Sequence, residues 1–447
     1  MPNNSSSKEV LVNRNIYNAL DSDTVGLKIG CMTTVSNLRV SPSEESDEYI
    51  FLSSKIADKL LVPSNTYRPY LIKKDVIKLG PSVGILISAK SQDNSAIPKG
   101  KQGRLLKEMI EHGYQKGLFI FIFHPEGVNW KKKTVKGYSL SNTGKWIAGN
   151  YGFPTIIYNR IQYRSLESKS HVKLLLEKLG NEPDVFVFNS RFLNKWEVNE
   201  VLHTFAEGRK FIPETKKFNR ENLRNMLKKH SEVFLKPISS SRGQGIVKII
   251  ATNNVYKYSK ADASPLTWRS CSSFYILSEA LSRIGVKENR YLIQQGIDLA
   301  TVNDRVFDLR TQAQKDGTGR WIMTGVGARV AGKNRFVTHI PNGGHAASFE
   351  EVLKKTFGNM TPTRVSIEQQ LKTICTVIPP KLEEGLGINL AIISLDIGVD
   401  KEGNLWILEV NSKPASFDED DIRHKHLNYL TDYFIFAAQK IAKRDDL

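Results

Sequence analysis

The sequence predicts an α/β protein of three parts, and three patterns in the chain support this fold class. Short strands and turns alternate near the N-terminus, helices and apolar strands alternate in the middle, and the last part ends in a strand hairpin followed by an amphipathic helix. We place the boundaries at residues 8–95, 96–191 and 192–447. With 447 residues and 40% hydrophobic content, the chain can bury more than one core.

The first two parts are predicted from runs of apolar residues. The runs IGCMTTV, YIFLSS and VGILIS are separated by turn residues and predict a small β-rich domain over residues 8–95. In the middle part, helices from Gly103 to Lys116 and from His171 to Leu179 alternate with the strands LFIFIF, PTIIYNRI and DVFVFN. This alternation predicts a parallel sheet covered by helices on both faces.

A strand hairpin near the C-terminus is the most informative local pattern. Two β-branched runs, IISLDIGV and LWILEV, flank the turn sequence DKEG. We expect Val399 to pair with Asn404, a register that puts Asp396 opposite Ile407. Side chains alternate along a strand, so this register predicts that Ile407, Glu409 and Asn411 share the face of Asp396.

The oxygen atoms on this face predict a magnesium site. Two carboxylates brought together in a partly buried place repel each other unless a positive charge lies between them. Mg²⁺ accepts carboxylates, an amide oxygen, waters and nucleotide phosphates. The predicted ligands are therefore Asp396, Glu409 and Asn411. The alternative is a hairpin whose polar face meets solvent.

A second segment predicts a phosphate site. The strand EVFLKP ends near Lys236 and runs into the sequence ISSSRGQGI. Serine hydroxyls and backbone N–H groups near Gly243 and Gly245 can follow phosphate oxygens, because glycine has no side chain to block their approach. The GxxxxGK[ST] spacing of a P-loop is absent. An ordinary flexible hairpin loop is the alternative interpretation.

Seven motifs in order resemble one known family. They are FNSRFLNKWEVNEVL, IPETKKF, VFLKPISSSRGQGI, YLIQQGIDLA, DLRTQAQKDGTGRWIMTGVGARVA, PNGG and LDIGVDKEGNLWILEVNSKP. Together they resemble the ATP-grasp superfamily, and most closely its YheC/YheD family of endospore coat-associated proteins. The resemblance implies an ATP-grasp fold over residues 192–447, preceded by a Rossmann-like parallel-sheet domain and the small β-rich N-terminal domain.

The resemblance also implies site residues. Two lysines and the serine- and glycine-rich loop would hold the phosphates of ATP, a hinge would hold adenine, and an aspartate would contact the ribose. These cofactor-binding residues are Lys195, Lys236, Ser240, Ser241, Arg242, Gly243, Gly245, Gln294, Gln295, Ile297 and Asp298. Arg310 and Arg329 would act with Lys236 on the phosphate that is transferred.

Several of these residues have structural alternatives in the sequence. Lys195 could be a surface lysine on a helix, and Asp298 could occupy a turn or cap. Asp308 and Arg310 lie two apart on a strand and could form a structural ion pair. We expect His339, and the histidines of the HKH sequence at 424–426, to lie at the surface.

For activity, the resemblance implies an ATP- and Mg²⁺-dependent ligase that joins a carboxylic acid to an amine through an acyl-phosphate. The acid and the amine are not identified by the sequence. The resemblance also implies a cytoplasmic protein of a spore-forming cell that contacts spore coat proteins. A catalytically silent ATP-binding coat or scaffold protein is the alternative.

Composition limits the other functional classes. The net charge of +18, from 64 basic and 46 acidic residues, favours anionic partners. The one run of three lysines, at 131–133, is predicted to be a solvated loop, and no nucleic-acid-binding motif accompanies it. We therefore do not expect nucleic acid as the partner. Three scattered cysteines argue against a disulfide framework or zinc site, and we expect neither a secretory signal nor a membrane span.

Overall fold

The protein is organised around four main β-sheets. The computed structural model describes residues 9–41, 50–88, 96–141, 143–239, 243–263, 266–339, 343–358, 361–415, 417 and 419–443. Among these residues, none of the helices combines the length and the apolar character that a bilayer crossing requires.

The N-terminal sheet has the strand order β1-β3-β2-β7-β6. Its strands alternate buried and exposed side chains, as in β2 with Val25, Leu27 and Ile29 inward, which leaves one face open to solvent. This confirms the predicted small β-rich region. The elements are β1 (Glu9–Val12), α1 (Arg14–Asn18), β2 (Thr24–Ile29), β3 (Met32–Val40), β4 (Ile50–Phe51), α2 (Ser54–Leu60), β5 (Thr66–Tyr67), β6 (Pro69–Lys73) and β7 (Val76–Leu79).

The second sheet has the order β11-β10-β9-β8-β12-β13. Its elements are β8 (Ser82–Leu86), α3 (Gly100–Gln115), β9 (Phe119–Asn129), β10 (Thr134–Leu140), β11 (Trp146–Gly152), β12 (Ile156–Asn159), α4 (Arg164–Glu167), α5 (Ser170–Gly180) and β13 (Phe186–Phe188). β8, the VGILIS run, lies in this sheet and not in the N-terminal one, because its five residues are all buried and need cover on both faces.

The second sheet contains the expected parallel sheet and extends it with antiparallel strands at one side. β9, β8, β12 and β13 are parallel neighbours, as predicted from the alternation of helices and apolar strands. β10 and β11 add two antiparallel strands. The chain turns back directly after β9 through the lysine run at 131–133, so no crossover helix separates these strands.

The third sheet is antiparallel, with the order β14-β19-β15-β16-β17-β18. Helices α8 and α9 supply buried leucines that pack on its inner face. The elements from the start of the C-terminal part to the end of this sheet are α6 (Lys195–Thr204), α7 (Ala206–Phe211), β14 (Thr215–Lys217), α8 (Arg220–Lys229), β15 (Glu232–Pro237), β16 (Val247–Thr252), β17 (Val255–Lys260), β18 (Arg269–Cys271), α9 (Phe274–Arg283) and β19 (Tyr291–Gln295).

The fourth sheet is also antiparallel, with the order β23-β22-β21-β24-β25 and β20 paired to β21. Helices α6, α7, α10 and α11 share its apolar core. Its remaining elements are β20 (Thr301–Val302), β21 (Arg305–Lys315), β22 (Trp321–Val330), β23 (His345–Ala347), α10 (Phe349–Phe357), α11 (Thr361–Leu386), β24 (Ile392–Val399), β25 (Leu405–Asn411) and α12 (Asp420–Ala442).

The last helix, α12, joins the second and fourth sheets. The rings of Tyr433 and Phe434 contact Phe188 of β13, with centroids 5.7 and 6.1 Å apart. On the other side, Nδ1 of His426 lies 3.0 Å from the amide nitrogen of Gln312 and 2.8 Å from the amide oxygen of Gln314. The expectation that His426 lies at the surface is wrong, because its ring is buried between α12 and the two glutamines of the fourth sheet. His424 is exposed.

The buried histidine predicts a pH dependence of stability. Burial lowers the pKa of His426 to about 3, and the positive charge of Arg160 acts in the same direction. The unfolded chain takes up this proton below about pH 6.5, while the folded chain stays neutral, so stability is lost as the pH falls from 6.5 towards 3. Between pH 7 and 5 the loss from this residue is about 2 kcal/mol.

A matched variant isolates the effect. In urea unfolding at pH 7 and pH 5, the wild-type protein should lose about 2 kcal/mol more than the variant His426→Gln, which carries no titrating ring. Equal losses in the two proteins would contradict the assignment of a neutral buried His426.

Candidate functional site

A cleft of about 740 Å³ lies between the third and fourth sheets. The third sheet contributes apolar and polar side chains from β15 and β19, and the fourth sheet contributes acidic side chains from β21, β24 and β25. The residues that line this cleft are Phe234, Lys236, Ile246, Gln294, Gln295, Ile297, Leu299, Val306, Asp308, Phe336, Val337, Thr338, His339, Asp396, Leu408 and Glu409.

The hairpin of β24 and β25 places the carboxylates, with a register that differs from the predicted one. Val399 pairs with Leu405 and not with Asn404, so Ile397 lies opposite Ile407. The ladder then shifts between Asp396 and Ile397, and Asp396 lies directly opposite Glu409.

The physical reason for the different register is the turn. The N–H of Asp400 donates to the carbonyl of Asn404, which leaves three residues between them. Gly403 has a φ of 84°, a left-handed conformation that closes such a three-residue turn at little steric cost. The carboxylate of Asp400 also accepts from the backbone N–H groups of Glu402 and Asn404.

The shift also reverses the alternation of side chains along β25. Leu405 and Ile407 are buried in the apolar core, and a regular strand would send Glu409 to the same side. Leu408 is the extra residue of a β-bulge, so Val410 faces the core and Glu409 faces the cleft. Ile407 was predicted to share the face of Asp396, and it does not. Glu409 and Asn411 do share that face.

A buried cluster of charges lies beside Asp396. The guanidinium of Arg329 donates to both oxygens of Asp308, at 2.8 and 2.6 Å, and lies 3.0 Å from Oδ2 of Asp396. The hydroxyl of Thr338 donates to Asp308 at 2.6 Å. Burial lowers the pKa of Arg329, but the carboxylates of Asp396 and Asp308 together raise it above its ordinary value. The positive charge of Arg329 therefore persists in the interior, between the two carboxylates.

Asp308 and Arg310 do not form the ion pair that was the structural alternative. Asp308 is held by Arg329 of the neighbouring strand. Arg310 lies opposite Asp396 in the ladder and has no ion pair among the residues the structure describes. Burial raises the pKa of the Asp396 carboxyl, but Arg329 and Arg310 outweigh burial and bring the pKa below its usual value.

Two lysines face the same carboxylates. The ammonium of Lys195, at the start of α6, lies 3.1 Å from Oε1 of Glu409, and both side chains are largely buried. Lys195 is therefore not the free surface lysine of the alternative interpretation. Burial lowers the pKa of Lys236 to about 8, with Lys195 acting in the same direction and Glu409 opposing it. Lys236 is thus a cation held in a place that favours an anion beside it.

The end of β19 contributes a hinge to the cleft. Gln294 and Gln295 line it together with Ile297. The amide of Gln294 donates to the hydroxyl of Thr215 at 3.4 Å, and the amide oxygen of Gln295 accepts from the N–H of Glu214 at 3.2 Å. An apolar side chain and two oriented amides can hold the face and the polar edge of a flat ring.

The remaining predicted residues are placed less directly. Gly243 and Gly245 have φ values of 70° and 73°, which glycine adopts without strain. Ser240, Ser241 and Arg242 lie outside the described residues. Asp298 is mostly exposed and pairs with Lys401 at 2.8 Å. A contact of Asp298 with a ribose stays a prediction.

The segment after β22 contributes residues that sequence reasoning missed or misplaced. His339 lines the cleft, and burial lowers its pKa. The expectation of a surface histidine is therefore wrong. Phe336 lines the same wall and packs against Phe234, with centroids 6.1 Å apart. The sequence FVTHI, with its apolar residues around Thr338, was the available signal.

The donor set fits a hard cation. Oδ1 of Asp396 is buried and has no hydrogen-bond partner in the described part of the protein. Glu409 lies directly opposite in the ladder, and Asn411 lies two pairs further along, opposite Ser394. The described residues contain no group of three or more acidic, histidine or cysteine side chains that could hold a metal alone. A metal here would therefore depend on the Asn411 amide, water and phosphate oxygens.

Comparison with known proteins identifies related chains. A family model described as "YheC/D like ATP-grasp" matches residues 184–437. The endospore coat-associated protein YheD of Bacillus subtilis is 24% identical over 400 residues, covering 88% of this chain and 86% of that protein. The endospore coat-associated protein YheC of the same organism is 26% identical over 323 residues, covering 69% of this chain and 84% of that protein.

Among solved structures, the D-alanine–D-alanine ligase from Coxiella burnetii covers 82% of this chain and 97% of its own, at 10% identity and a TM-score of 0.44. The D-alanyl-alanine synthetase A of Vibrio cholerae covers 82% and 99%, at 12% identity and a TM-score of 0.45. At these values the likeness carries no argument about substrate.

The charge cluster predicts a large difference between two arginine variants. Arg329→Gln leaves the buried carboxylates of Asp308 and Asp396 without their shared cation, which should destabilise the protein by about 3–5 kcal/mol. Arg310→Gln, on the neighbouring strand and without an ion pair among the described residues, should cost less than about 1 kcal/mol. Urea unfolding with EDTA present measures both. Equal losses would contradict the shared role of Arg329.

Proposed function

This chain belongs to the YheC/D-like ATP-grasp family, and from that premise we propose that it is an ATP-dependent carboxylate–amine ligase that acts through an acyl-phosphate. One observation carries the proposal. Lys195 pairs with Glu409, Arg310 lies opposite Asp396 in the ladder, and Lys236 and the two glutamines of the hinge line the same cleft as both carboxylates. A nucleotide matches this set of groups.

The proposed orientation of ATP follows from the chemistry of the hinge and of the two lysines. Adenine would lie against Ile297, between the apolar side chains of Phe234 and Leu408, with its polar edge on the hinge amides. Its phosphates would extend towards Lys236 and Lys195. The backbone N–H groups around Gly243 and Gly245 would follow phosphate oxygens.

In the first step, a carboxylate oxygen of the acid attacks the γ-phosphorus of ATP. A new P–O bond forms, the bond between the γ-phosphorus and the β,γ-bridging oxygen breaks, and its electron pair leaves with ADP. Lys236 and Arg310 would stabilise the negative charge that the transferred group carries. No covalent bond to the protein is required, so positioning and electrostatics are what the protein supplies.

In the second step, an amine attacks the acyl carbon of the acyl-phosphate. The C–N bond forms, the C–O bond to phosphate breaks, inorganic phosphate leaves, and the amine nitrogen gives up a proton. Water would compete with the amine, so the site must exclude it. The sum of both steps is acid, amine and ATP giving amide, ADP and phosphate.

Asp396, Glu409 and Asn411 are the proposed Mg²⁺ ligands. Bound there, the ion would neutralise phosphate charge and polarise the transferred group. The protein has to hold these two carboxylates in position on adjacent strands. Arg329 holds one oxygen of Asp396, and Lys195 holds one oxygen of Glu409.

A catalytically silent, nucleotide-binding scaffold is the second candidate, and one observation favours it. Asp396 and Glu409 each already have a cation within ion-pair distance, so their charges are compensated without a metal. Such a protein would bind ATP without transferring phosphate. The names of the curated relatives support an association with the spore coat, and we propose a cytoplasmic protein of a spore-forming cell that contacts coat proteins.

Hydroxylamine trapping tests the ligase without knowledge of the natural amine. Hydroxylamine attacks an acyl-phosphate to give a hydroxamate and inorganic phosphate. With ATP, Mg²⁺ and pools of amino acids and small carboxylic acids, the wild-type protein should form hydroxamates in proportion to the ADP released. Mass spectrometry identifies the acid that was activated.

The matched variants are Glu409→Gln in the site and Glu384→Gln on the surface, where the side chain is 73% exposed. Loss of a metal-binding carboxylate should lower hydroxamate formation at least about 100-fold, as expected when a charge on the transition state is left unbalanced. Glu384→Gln should match the wild type. ATP binding with no hydroxamate from any acid would favour the silent scaffold.

A further inference from the structure

The fourth sheet carries a second row of polar residues beyond the proposed metal position. Across the fourth sheet, Arg310, Asp396 and Glu409 form one row of directly paired residues. Gln312, Ser394 and Asn411 form the next row. The two rows are about 7 Å apart along the strands. A small organic acid is therefore long enough to reach from the proposed place of phosphate transfer to the second row.

The second row contains groups that a polar ligand can use. Ser394 is fully buried, and its hydroxyl has no hydrogen-bond partner in the described part of the chain. Gln312 is held by His426 of α12. A buried hydroxyl without a partner is costly and is uncommon outside sites that bind water or ligands.

Arg160, from the second sheet, lies at the edge of this row. Its backbone N–H donates to the carbonyl of Leu86, directly after β12. Its guanidinium donates to the hydroxyl of Tyr158 at 2.8 Å and reaches the carbonyl of Pro414 at 3.5 Å, three residues past Asn411. Guanidinium has five N–H donors, so these two contacts leave others available.

The surroundings of Arg160 hold positive charge in excess. Arg160 has no ion pair among the described residues. The nearby carboxylate of Glu167 is already bound by Lys413, by the amide of Asn159 and by a backbone N–H. The positive charge of Arg160 also helps to lower the pKa of His426. A partly buried guanidinium without a carboxylate favours an anion beside it.

We propose that the acid substrate carries a second carboxylate and that Arg160 binds it. This inference rests on the proposed ligase function. The first carboxylate would lie at the row of Arg310 and Asp396, where phosphate is transferred, and the second would reach towards Arg160 past Ser394. A carboxylate matches the fork of donors on a single guanidinium. The substrate class is therefore a small dicarboxylic acid, or an amino acid with an acidic side chain.

The test compares each diacid with its own monoamide, which keeps the shape and removes one charge. The pairs are succinate and succinamate, glutarate and glutaramate, and L-aspartate and L-asparagine, assayed by hydroxamate formation with ATP and Mg²⁺. The wild type should prefer a diacid by about 10-fold to 100-fold in kcat/KM. Arg160→Gln should remove this preference, and Arg160→Lys should keep part of it.

The control variant is Arg39→Gln, in the N-terminal sheet, whose side chain is 66% exposed and pairs with Glu9. It should keep the wild-type preference, and circular dichroism with urea unfolding checks that each variant is folded. Equal use of diacid and monoamide, or a preference that survives Arg160→Gln, would overturn the proposed role of Arg160 and would leave the ligase proposal intact. Absence of acid-dependent hydroxamate from every pair would instead contradict the ligase proposal.

Discussion

The shared guanidinium of Arg329 is the interaction on which the site depends. Asp308 and Asp396 come from adjacent strands and are both buried, so their mutual repulsion has to be compensated inside the protein. Arg329 does this with one planar group that reaches both carboxylates. The cost of burying three charges is offset only when all three are present, which ties β21, β22 and β24 into one arrangement.

A second constraint is the bulge at Leu408. The apolar core requires Leu405, Ile407 and Val410 to face inward, and strict alternation cannot satisfy all three. One extra residue solves this and turns Glu409 towards the cleft. Glu409 then pairs with Lys195 from α6. The bulge at Leu408 therefore affects both the contact of α6 with the sheet and the charge of the cleft.

Much of this could be predicted from the sequence, for physical reasons that differ between segments. The long apolar strands follow from composition and period, the hairpin sequence pointed to Asp396, Glu409 and Asn411, and the resemblance pointed to Lys195 and Lys236. The hairpin register could not be predicted from the sequence. The three-residue turn and the bulge together put Glu409 and Asn411 on the face of Asp396, and the simpler predicted register puts them on that face too. His426 and His339 were misjudged because their burial depends on α12 and on the third sheet, which are distant in sequence.

The proposed chemistry depends on binding of a divalent cation by Asp396 and Glu409 together with ATP. Mn²⁺ substitutes for Mg²⁺ and can be followed by electron paramagnetic resonance as free ion is lost on binding. From this proposal we expect ATP-dependent Mn²⁺ binding by the wild type, weakened at least about tenfold in both Asp396→Asn and Glu409→Gln and unchanged in Glu384→Gln. Mn²⁺ binding that does not depend on ATP, or that both site variants retain, would contradict it.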